Sequence, residues 1–136
     1  MIRIKILEKD ISTVAKVVLI NNKKEVLFLK RSDYVDKYAG DWDLPGGHLK
    51  KDESIVKGLK REVKEETQIN ILKPVYLTRI DNLNFFYSMY NSEKIILSDE
   101  HTEFKFFSKK DLNRKEKFQN IAFLALERLE YESINN

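Results

Sequence analysis

Residues 46–69, GGHLKKDESIVKGLKREVKEETQI, constrain the fold of this chain more than any other stretch, because two glycines lead into a strongly acidic segment. An α-helix advances about 100° per residue, which places Glu65 at about −60° and Glu66 at about +40° from Glu62. Three carboxylates therefore share one narrow sector, a repulsive arrangement unless something positive lies against it. Clustered carboxylate oxygens suit hard divalent cations, so the pattern predicts a Mg²⁺ site, with Mn²⁺ as the alternative.

The apolar residues of the same helix predict how it packs. Ile55, Leu59 and Val63 fall beside the acidic sector and are expected to face a core. Asp52 is the predicted N-cap. Gly58 lies within the acidic sector, where a glycine costs about 1 kcal/mol relative to alanine. Its presence predicts a close approach by another backbone or by substrate.

The spacing of these residues resembles the signature of the Nudix hydrolases, Gly-x5-Glu-x7-Arg-Glu-U-x-Glu-Glu-x-Gly-U, where U is a bulky aliphatic residue. The match runs from Gly47 to Ile69, and the preceding WDLPGG resembles the usual approach to that signature. One position departs, since Gln68 replaces the last glycine of the pattern. A glycine there ends the helix in a left-handed conformation, which glutamine adopts reluctantly. The helix is therefore predicted to end later or differently, with Asn70 as the better left-handed residue.

The resemblance implies a role for each residue that matches the signature. The implied metal ligands are the carbonyl of Gly46 and the carboxylates of Glu62, Glu65 and Glu66. Arg61 would steady these carboxylates by ion pairing, whereas Glu53 would support the loop and the start of the helix. The implied reaction is hydrolysis of a diphosphate linked to another moiety, often a nucleoside.

Three further residues outside the signature are candidates for the site. Glu103, preferred over Glu100, resembles a carboxylate that serves as base or metal ligand, with a plain exposed strand residue as the alternative. Arg31 resembles a contact to substrate phosphates, and a solvent-facing arginine is the alternative. Asn120 could bind a nucleobase, although capping of the last helix is the favoured interpretation. The two histidines lack HExxH spacing, so a zinc site is not expected.

Composition bounds the class of protein. A length of 136 residues predicts one domain, 1–136, with a core of its own. The absence of cysteine excludes disulfides and thiolate metal sites. Twenty-five basic and 22 acidic residues give a net charge of +3, which does not indicate a nucleic-acid partner. No long apolar run appears, so the sequence predicts a soluble cytoplasmic protein without a membrane partner, and a homodimer stays open.

Alternating and β-branched runs predict strands at residues 2–7, 14–20, 25–30, 42–44, 71–80, 84–90, 94–97 and 103–107. The segment Pro45-Gly46-Gly47 is predicted as loop. A short helical turn is expected over 108–112. A last helix is expected over 120–130, with four residues facing inward, namely Ile121, Leu124, Ala125 and Leu129. Strands on both sides of a central helix predict a layered α/β domain. The Nudix resemblance implies an α/β/α sandwich with a mixed β-sheet.

The leading functional hypothesis is a Mg²⁺-dependent pyrophosphohydrolase acting on a nucleoside diphosphate derivative. A nucleoside triphosphate, as in a MutT-like enzyme, is slightly favoured over nucleotide sugars, dinucleoside polyphosphates and capped RNA. The alternative is a non-catalytic Nudix-fold module that binds or senses a nucleotide. Such modules typically lose the glutamates of the signature, and this chain keeps them all. A third hypothesis is an interaction domain with an incidental acidic helix.

Overall fold

One mixed sheet and two helices make up the part of the chain that the computed structural model describes, residues 12–33 and 40–135. The strands of this part are β1 (Val14–Ile20), β2 (Val26–Arg31), β3 (Trp42–Asp43), β4 (Gly46–His48), β5 (Val75–Ile80), β6 (Leu83–Met89) and β7 (His101–Phe107). The helices are α1 (Ile55–Thr67) and α2 (Lys117–Asn135), and a 3₁₀ turn spans Lys109–Asp111. The strand predicted over residues 2–7, and residues 34–39 of the predicted loop, lie outside the described residues.

Strand β1 is the centre of the sheet, and all seven of its residues are buried. It pairs in parallel with β6, where Val14 lies opposite Leu83. It pairs antiparallel with β2 along one part and with β4 along another. β3 and β7 extend the sheet from β2, and β5 extends it from β6. An almost wholly apolar strand is expected where both faces of a sheet are covered.

Alternate residues of β1 enter two separate cores. Ala15, Val17 and Leu19 pack with Leu59 and Val63 of α1. Val18 and Ile20 face the other side, where α2 contributes its own apolar residues, Ile121, Ala122, Ala125 and Leu126. The sheet therefore lies between the two helices. This arrangement confirms the predicted α/β/α sandwich with a mixed sheet.

Several predicted boundaries are wrong. Residues 46–48 form a strand, not a loop, because they pair with β1. The strand predicted over 71–80 begins only at Val75. Residues 94–97 form no strand. They cross the end of α1 instead, held there by the amide of Ile96 donating to the Thr67 carbonyl at 3.0 Å.

Helix α2 is longer than predicted, and its inward face is shifted. It begins before residue 120 and runs well past residue 130. Leu124 is 39% exposed, whereas Leu126 is 2% exposed. Ile121 and Ala125 are buried as predicted, and Leu129 is partly buried against the same core.

Both ends of α1 differ from expectation. Ser54, not Asp52, is the N-cap, since its hydroxyl accepts a hydrogen bond from the Lys57 amide at 3.2 Å. Gln68 itself adopts the left-handed conformation with φ 66°, and its amide donates to the Lys64 carbonyl at 2.9 Å. The helix thus ends where the family glycine would end it. Burial of Ile69 directly after this turn stabilises the strained residue.

Two residues of α1 also depart from expectation. A Cβ on Gly58 would lie 2.7 Å from Leu49 Cγ and 2.9 Å from a Glu53 oxygen. The predicted close approach is therefore made by side chains, not by a backbone or substrate. Ile55 is 37% exposed and does not join the core that Leu59 and Val63 enter.

Replacing Gln68 by glycine is expected to stabilise the protein by about 1 kcal/mol, because it relieves the cost of a left-handed non-glycine residue. The midpoint of thermal unfolding should rise by about 4 °C, measured by circular dichroism. Gln68→Asn should give a smaller rise, since asparagine tolerates this conformation better. A fall in the midpoint for both variants would show that the glutamine side chain, not the backbone, decides stability here.

Candidate metal and substrate site

Two glycines of β4 lie directly against the acidic helix. The Gly46 amide donates to Glu66 Oε1 at 2.8 Å. A Cβ on Gly47 would lie 2.7 Å from Glu62 Oε2. Gly46 has φ 130°, and a Cβ there would lie only 2.1 Å from the carbonyl oxygen of Ala15. The glycine pair thus permits a close approach of β1, β4 and α1, which brings two carboxylates onto the β4 backbone.

Arg61 connects the start of α1 with its acidic face. Its guanidinium donates to Glu53 at 2.7 and 2.9 Å, and to the His48 carbonyl at 3.1 Å. It also donates to Glu62 at 3.1 Å and to Glu65 at 3.2 Å. The hydrogen bond from Arg61 is the main reason that the pKa of Glu53 is lowered to about 2. Arg61 therefore holds Glu62 and Glu65 of the acidic face together with Glu53 before the start of the helix.

Glu66 differs from the other glutamates of the cluster because it is buried, with 5% of its surface exposed. Burial raises its pKa to about 8, and the charges of Asp43 and Glu62 add smaller upward contributions. Lys16 and the Gly46 amide oppose the shift. A carboxyl group in this position holds a proton near neutral pH unless a cation takes its place.

The acidic face of α1 opens onto a cavity of about 450 Å³. Its polar walls come from both signs of charge, namely Lys16, Arg31, Asp43, Glu62, Glu65, Glu66 and Glu100. The donor chemistry fits a hard divalent cation, since carboxylate oxygens and the Gly46 backbone meet there. In residues 12–33 and 40–135, no three acidic or histidine side chains are already gathered at metal-binding distance. Glu62 and Glu65 are turned to Arg61, and Glu66 is turned to the Gly46 amide.

A second cavity of about 500 Å³ adjoins the first, with which it shares four lining residues, namely Arg31, Asp43, Leu83 and Phe118. Its remaining walls include Trp42 and the beginning of α2. Trp42 packs edge-on against Phe107, with ring centroids 5.4 Å apart, and this contact holds the indole ring in place. Aromatic walls beside a charged cavity can hold a flat ring next to a phosphate chain.

The structure separates Glu100 from Glu103, the two carboxylates considered from the sequence as the base or a further metal ligand. Glu100 lines the first cavity together with the acidic cluster. Glu103 is exposed and lies 3.9 Å from Lys30 in a surface ion pair, and it is not among the lining residues. Arg31 lines both cavities and donates to Asp43 at 3.3 Å. The preference for Glu103 thus finds no support in the geometry.

Asn120 lies inside the first turns of α2, so it is not the N-cap. Its side-chain oxygen accepts a hydrogen bond from Arg114 Nε at 3.0 Å. It is not among the lining residues of either cavity.

Three buried polar residues near the cavity were not predicted as site residues from the sequence, namely Lys16, Asp43 and His101. Lys16 stands in the apolar run of β1, and its ammonium donates to both Asp43 oxygens at 3.1 Å. A charged residue within a buried strand was a visible signal for a site. His101 is 5% exposed, and neither of its ring nitrogens has a hydrogen-bond partner in the part of the chain that the structure describes. Burial lowers its pKa to about 4.

The described helices, within residues 12–33 and 40–135, are too short or too polar to cross a bilayer.

Comparison with known proteins gives matches of sequence and of fold. A family model described as the NUDIX domain matches residues 11–129. The 8-oxo-dGDP phosphatase NUDT18 of Mus musculus is 33% identical over 75 residues, which are 55% of this chain and only 22% of that protein. The MutT protein of Methanosarcina mazei Go1 is 29% identical with a TM-score of 0.65, over 89% of this chain and 94% of the other. The NUDIX domain of Shewanella oneidensis NrtR, solved with ADP ribose, shares the fold at 19% identity, with a TM-score of 0.66 over 86% of this chain and 87% of the other.

Proposed function

This chain belongs to the Nudix hydrolase family, and from that premise we propose that it hydrolyses the diphosphate linkage of a nucleoside diphosphate derivative with Mg²⁺. A nucleoside triphosphate is the favoured substrate. The observation that supports this most directly is that one cavity is lined by Arg31 and by three glutamates, Glu62, Glu65 and Glu66. Carboxylates that can hold a cation and a guanidinium that can hold phosphate are two of the features that phosphoryl transfer requires.

The reaction is attack by water on one phosphorus atom, with cleavage of the bridging P–O bond and transfer of a proton to the departing phosphate. A bound divalent cation supplies charge neutralisation at the phosphates and lowers the pKa of a water. Glu62, Glu65, Glu66 and the Gly46 carbonyl are the proposed ligands, with Mn²⁺ as the alternative cation. Arg31, which lines the same cavity, orients the diphosphate by bidentate hydrogen bonding.

Arg61 is proposed to act as the countercharge of the free protein. Its guanidinium neutralises Glu62 and Glu65 in the arrangement seen here. For these carboxylates to face a cation, they must turn from Arg61, which keeps its two hydrogen bonds to Glu53 and the one to His48. Glu53 and His48 thus allow Arg61 to remain in place when the other two partners leave.

Glu100 is the carboxylate proposed to receive the proton of the attacking water, because it lines the cavity of the acidic cluster. Glu103 would remain the alternative through a movement of β7. The second cavity is proposed to hold the nucleoside, since Trp42 and Phe118 provide aromatic surface there. Stacking of a base on such a surface contributes about 1–3 kcal/mol. Asn120 contributes to this cavity only if it leaves Arg114.

Metal affinity is expected to rise with pH because Glu66 must release a proton, its pKa being raised to about 8. At pH values below 8, the dissociation constant for Mn²⁺ should decrease about tenfold for each unit by which the pH is raised. Above pH 8 this dependence should level off. Titration calorimetry at pH 6.5, in buffers that differ in ionisation enthalpy, should report release of about one proton per metal ion. Binding without proton release at pH 6.5 would show that Glu66 is not a ligand.

The stability of the metal-free protein should depend on pH in the opposite sense. The pKa of Glu66 rises from 4.5 to about 8 on folding, so the folded state keeps a proton that the unfolded state has released. The free energy of unfolding should therefore fall as the pH rises through this interval. Urea denaturation at pH 6 and pH 8.5, with chelator present, measures this difference.

The proposed activity is tested with a substrate panel in the presence of Mg²⁺, Mn²⁺ or chelator, with products identified by ³¹P NMR. The panel should contain nucleoside triphosphates, 8-oxo-dGDP, 8-oxo-dGTP, ADP-ribose and a dinucleoside tetraphosphate. The oxidised guanine nucleotides are included because the mouse relative is named an 8-oxo-dGDP phosphatase. Metal-dependent release of a nucleoside monophosphate is expected. Metal-dependent binding of a nucleotide without turnover would favour the non-catalytic module instead.

A further inference from the structure

Lys16 makes an unusually complete set of contacts for a lysine in a buried strand. Its side chain is 9% exposed, and its ammonium donates to Asp43 Oδ1 and Oδ2 at 3.1 Å. The same ammonium donates to the carbonyls of Leu44 and Gly46, each at 3.2 Å. All of these acceptors belong to one short segment, residues 43–46. One side chain of β1 thus ties down the whole turn that precedes the acidic helix.

The strand itself has no need for a charge at this position. Val14 and Val18 lie on the same face of β1 and are buried apolar residues. A buried ammonium carries a large desolvation cost that only good partners offset. A buried methionine or leucine would serve the strand without that cost. The contacts of Lys16 with residues 43–46 are therefore the feature that calls for an explanation.

We propose that Lys16 is a positioning residue that fixes the carbonyl of Gly46 for the divalent cation. The proposal rests on the proposed function, in which that carbonyl is a ligand beside Glu66. Gly46 is held from two sides, since its amide donates to Glu66 and its carbonyl accepts from Lys16. A carbonyl oxygen has two lone pairs, so one can accept from the ammonium while the other faces a cation.

Lys16 also links the two cavities. Its ammonium lies 5.8 Å from the centroid of the Phe118 ring, which lines both of them. Asp43, which Lys16 binds, also binds Arg31 at 3.3 Å. The metal-binding turn, the proposed phosphate contact and an aromatic wall are thus placed relative to one another by a single ammonium group.

The test is the affinity of the metal-free protein for Mn²⁺, measured by titration calorimetry on the full chain at one pH. Loss of a group that orients a metal ligand typically weakens metal affinity by about 10–100-fold. Lys16→Met is expected to raise the dissociation constant at least tenfold. The metal concentration for half-maximal hydrolysis should rise by the same factor. The double variant Lys16→Met with Asp43→Asn removes the stranded carboxylate charge, so it supplies the measurement if the single variant does not fold.

Leu126→Ala is the matched control, because it destabilises the core that Leu126 shares with Leu44 while removing no hydrogen bond of Lys16 or of the Gly46 carbonyl. It should lower the unfolding temperature and leave the Mn²⁺ affinity unchanged. Wild-type affinity in a folded Lys16→Met protein, or in the folded double variant, would overturn the positioning role alone. Failure of the wild-type protein to bind Mn²⁺ would overturn the proposed metal site and this role with it. An equal loss of affinity in Leu126→Ala would show that general destabilisation, not Lys16, is responsible.

Discussion

Glu66→Gln is expected to lower the rate of hydrolysis by about a thousandfold, corresponding to about 4 kcal/mol of lost transition-state stabilisation. The neutral amide of glutamine lacks the negative charge that the carboxylate offers to a divalent cation. The fold should survive, because the side-chain oxygen of glutamine can still accept the hydrogen bond from the Gly46 amide. The rates are measured on the best substrate of the panel at saturating Mg²⁺.

Stability measurements separate this effect from misfolding. Without metal, wild type and variant should unfold at nearly the same temperature below about pH 4.5, where the glutamate is protonated in both the folded and the unfolded state. At pH 7 the unfolded wild-type chain has released this proton while the folded protein keeps it, so the variant should be the more stable protein, and above pH 8 the difference should level off. Glu127→Gln, on the outer side of α2, is the control and should retain full activity. Near-normal turnover in both Glu66→Gln and Glu65→Gln would remove these residues from the site.

Gly46→Ala is expected to cost about 3 kcal/mol of folding free energy or more, and to abolish metal binding. The added Cβ would lie 2.1 Å from the Ala15 carbonyl oxygen and 2.8 Å from Lys16 Cα, both backbone atoms that cannot turn aside. The backbone at φ 130° adds strain of its own for an alanine. The turn must move away from β1, which displaces the Gly46 carbonyl. Chemical denaturation and Mn²⁺ titration measure the two effects.

Gly40→Ala separates the clash from the backbone strain. Gly40 also has a positive φ, of 79°, but a Cβ there would meet no atom of the described residues within 4 Å. We expect it to cost about 1 kcal/mol, from backbone strain alone, with metal affinity unchanged. If Gly46→Ala were no more destabilising than Gly40→Ala, the close packing of β4 against β1 would not constrain the site.

The layered fold could be predicted because its elements have strong periodicity and a recognisable acidic helix. Short or context-dependent elements could not. β4 spans three residues that are polar or glycine, and it forms only because β1 presents an unpaired edge there. Residues 94–97 alternate like a strand, but Ile95 and Leu97 pack against the core beside α1. In both segments, tertiary contacts and not the local sequence pattern determine the secondary structure.

The carboxylate cluster could be predicted from spacing, but the environment of each glutamate could not. A helical wheel places Glu62, Glu65 and Glu66 in one sector. The structure shows that only Glu66 is turned into the interior. The asymmetry arises from β4, whose amide lies beside that one residue. Gln68 was expected to disturb the end of the helix, yet burial of Ile69 holds it in the conformation of a glycine.

The parallel pairing of β1 with β6 has a consequence for how the protein acquires its site. Val14 is joined to Leu83, so the central ladder connects segments that are far apart along the chain. Contacts of such long range form slowly, because a large loop must close before they are rewarded. β1 also carries Lys16 and the partners of β4, so the cation pocket cannot be assembled before that loop is closed. Competence to bind metal should therefore appear late in refolding, together with the final burial of the sheet, and would serve as a spectroscopic marker of its last step.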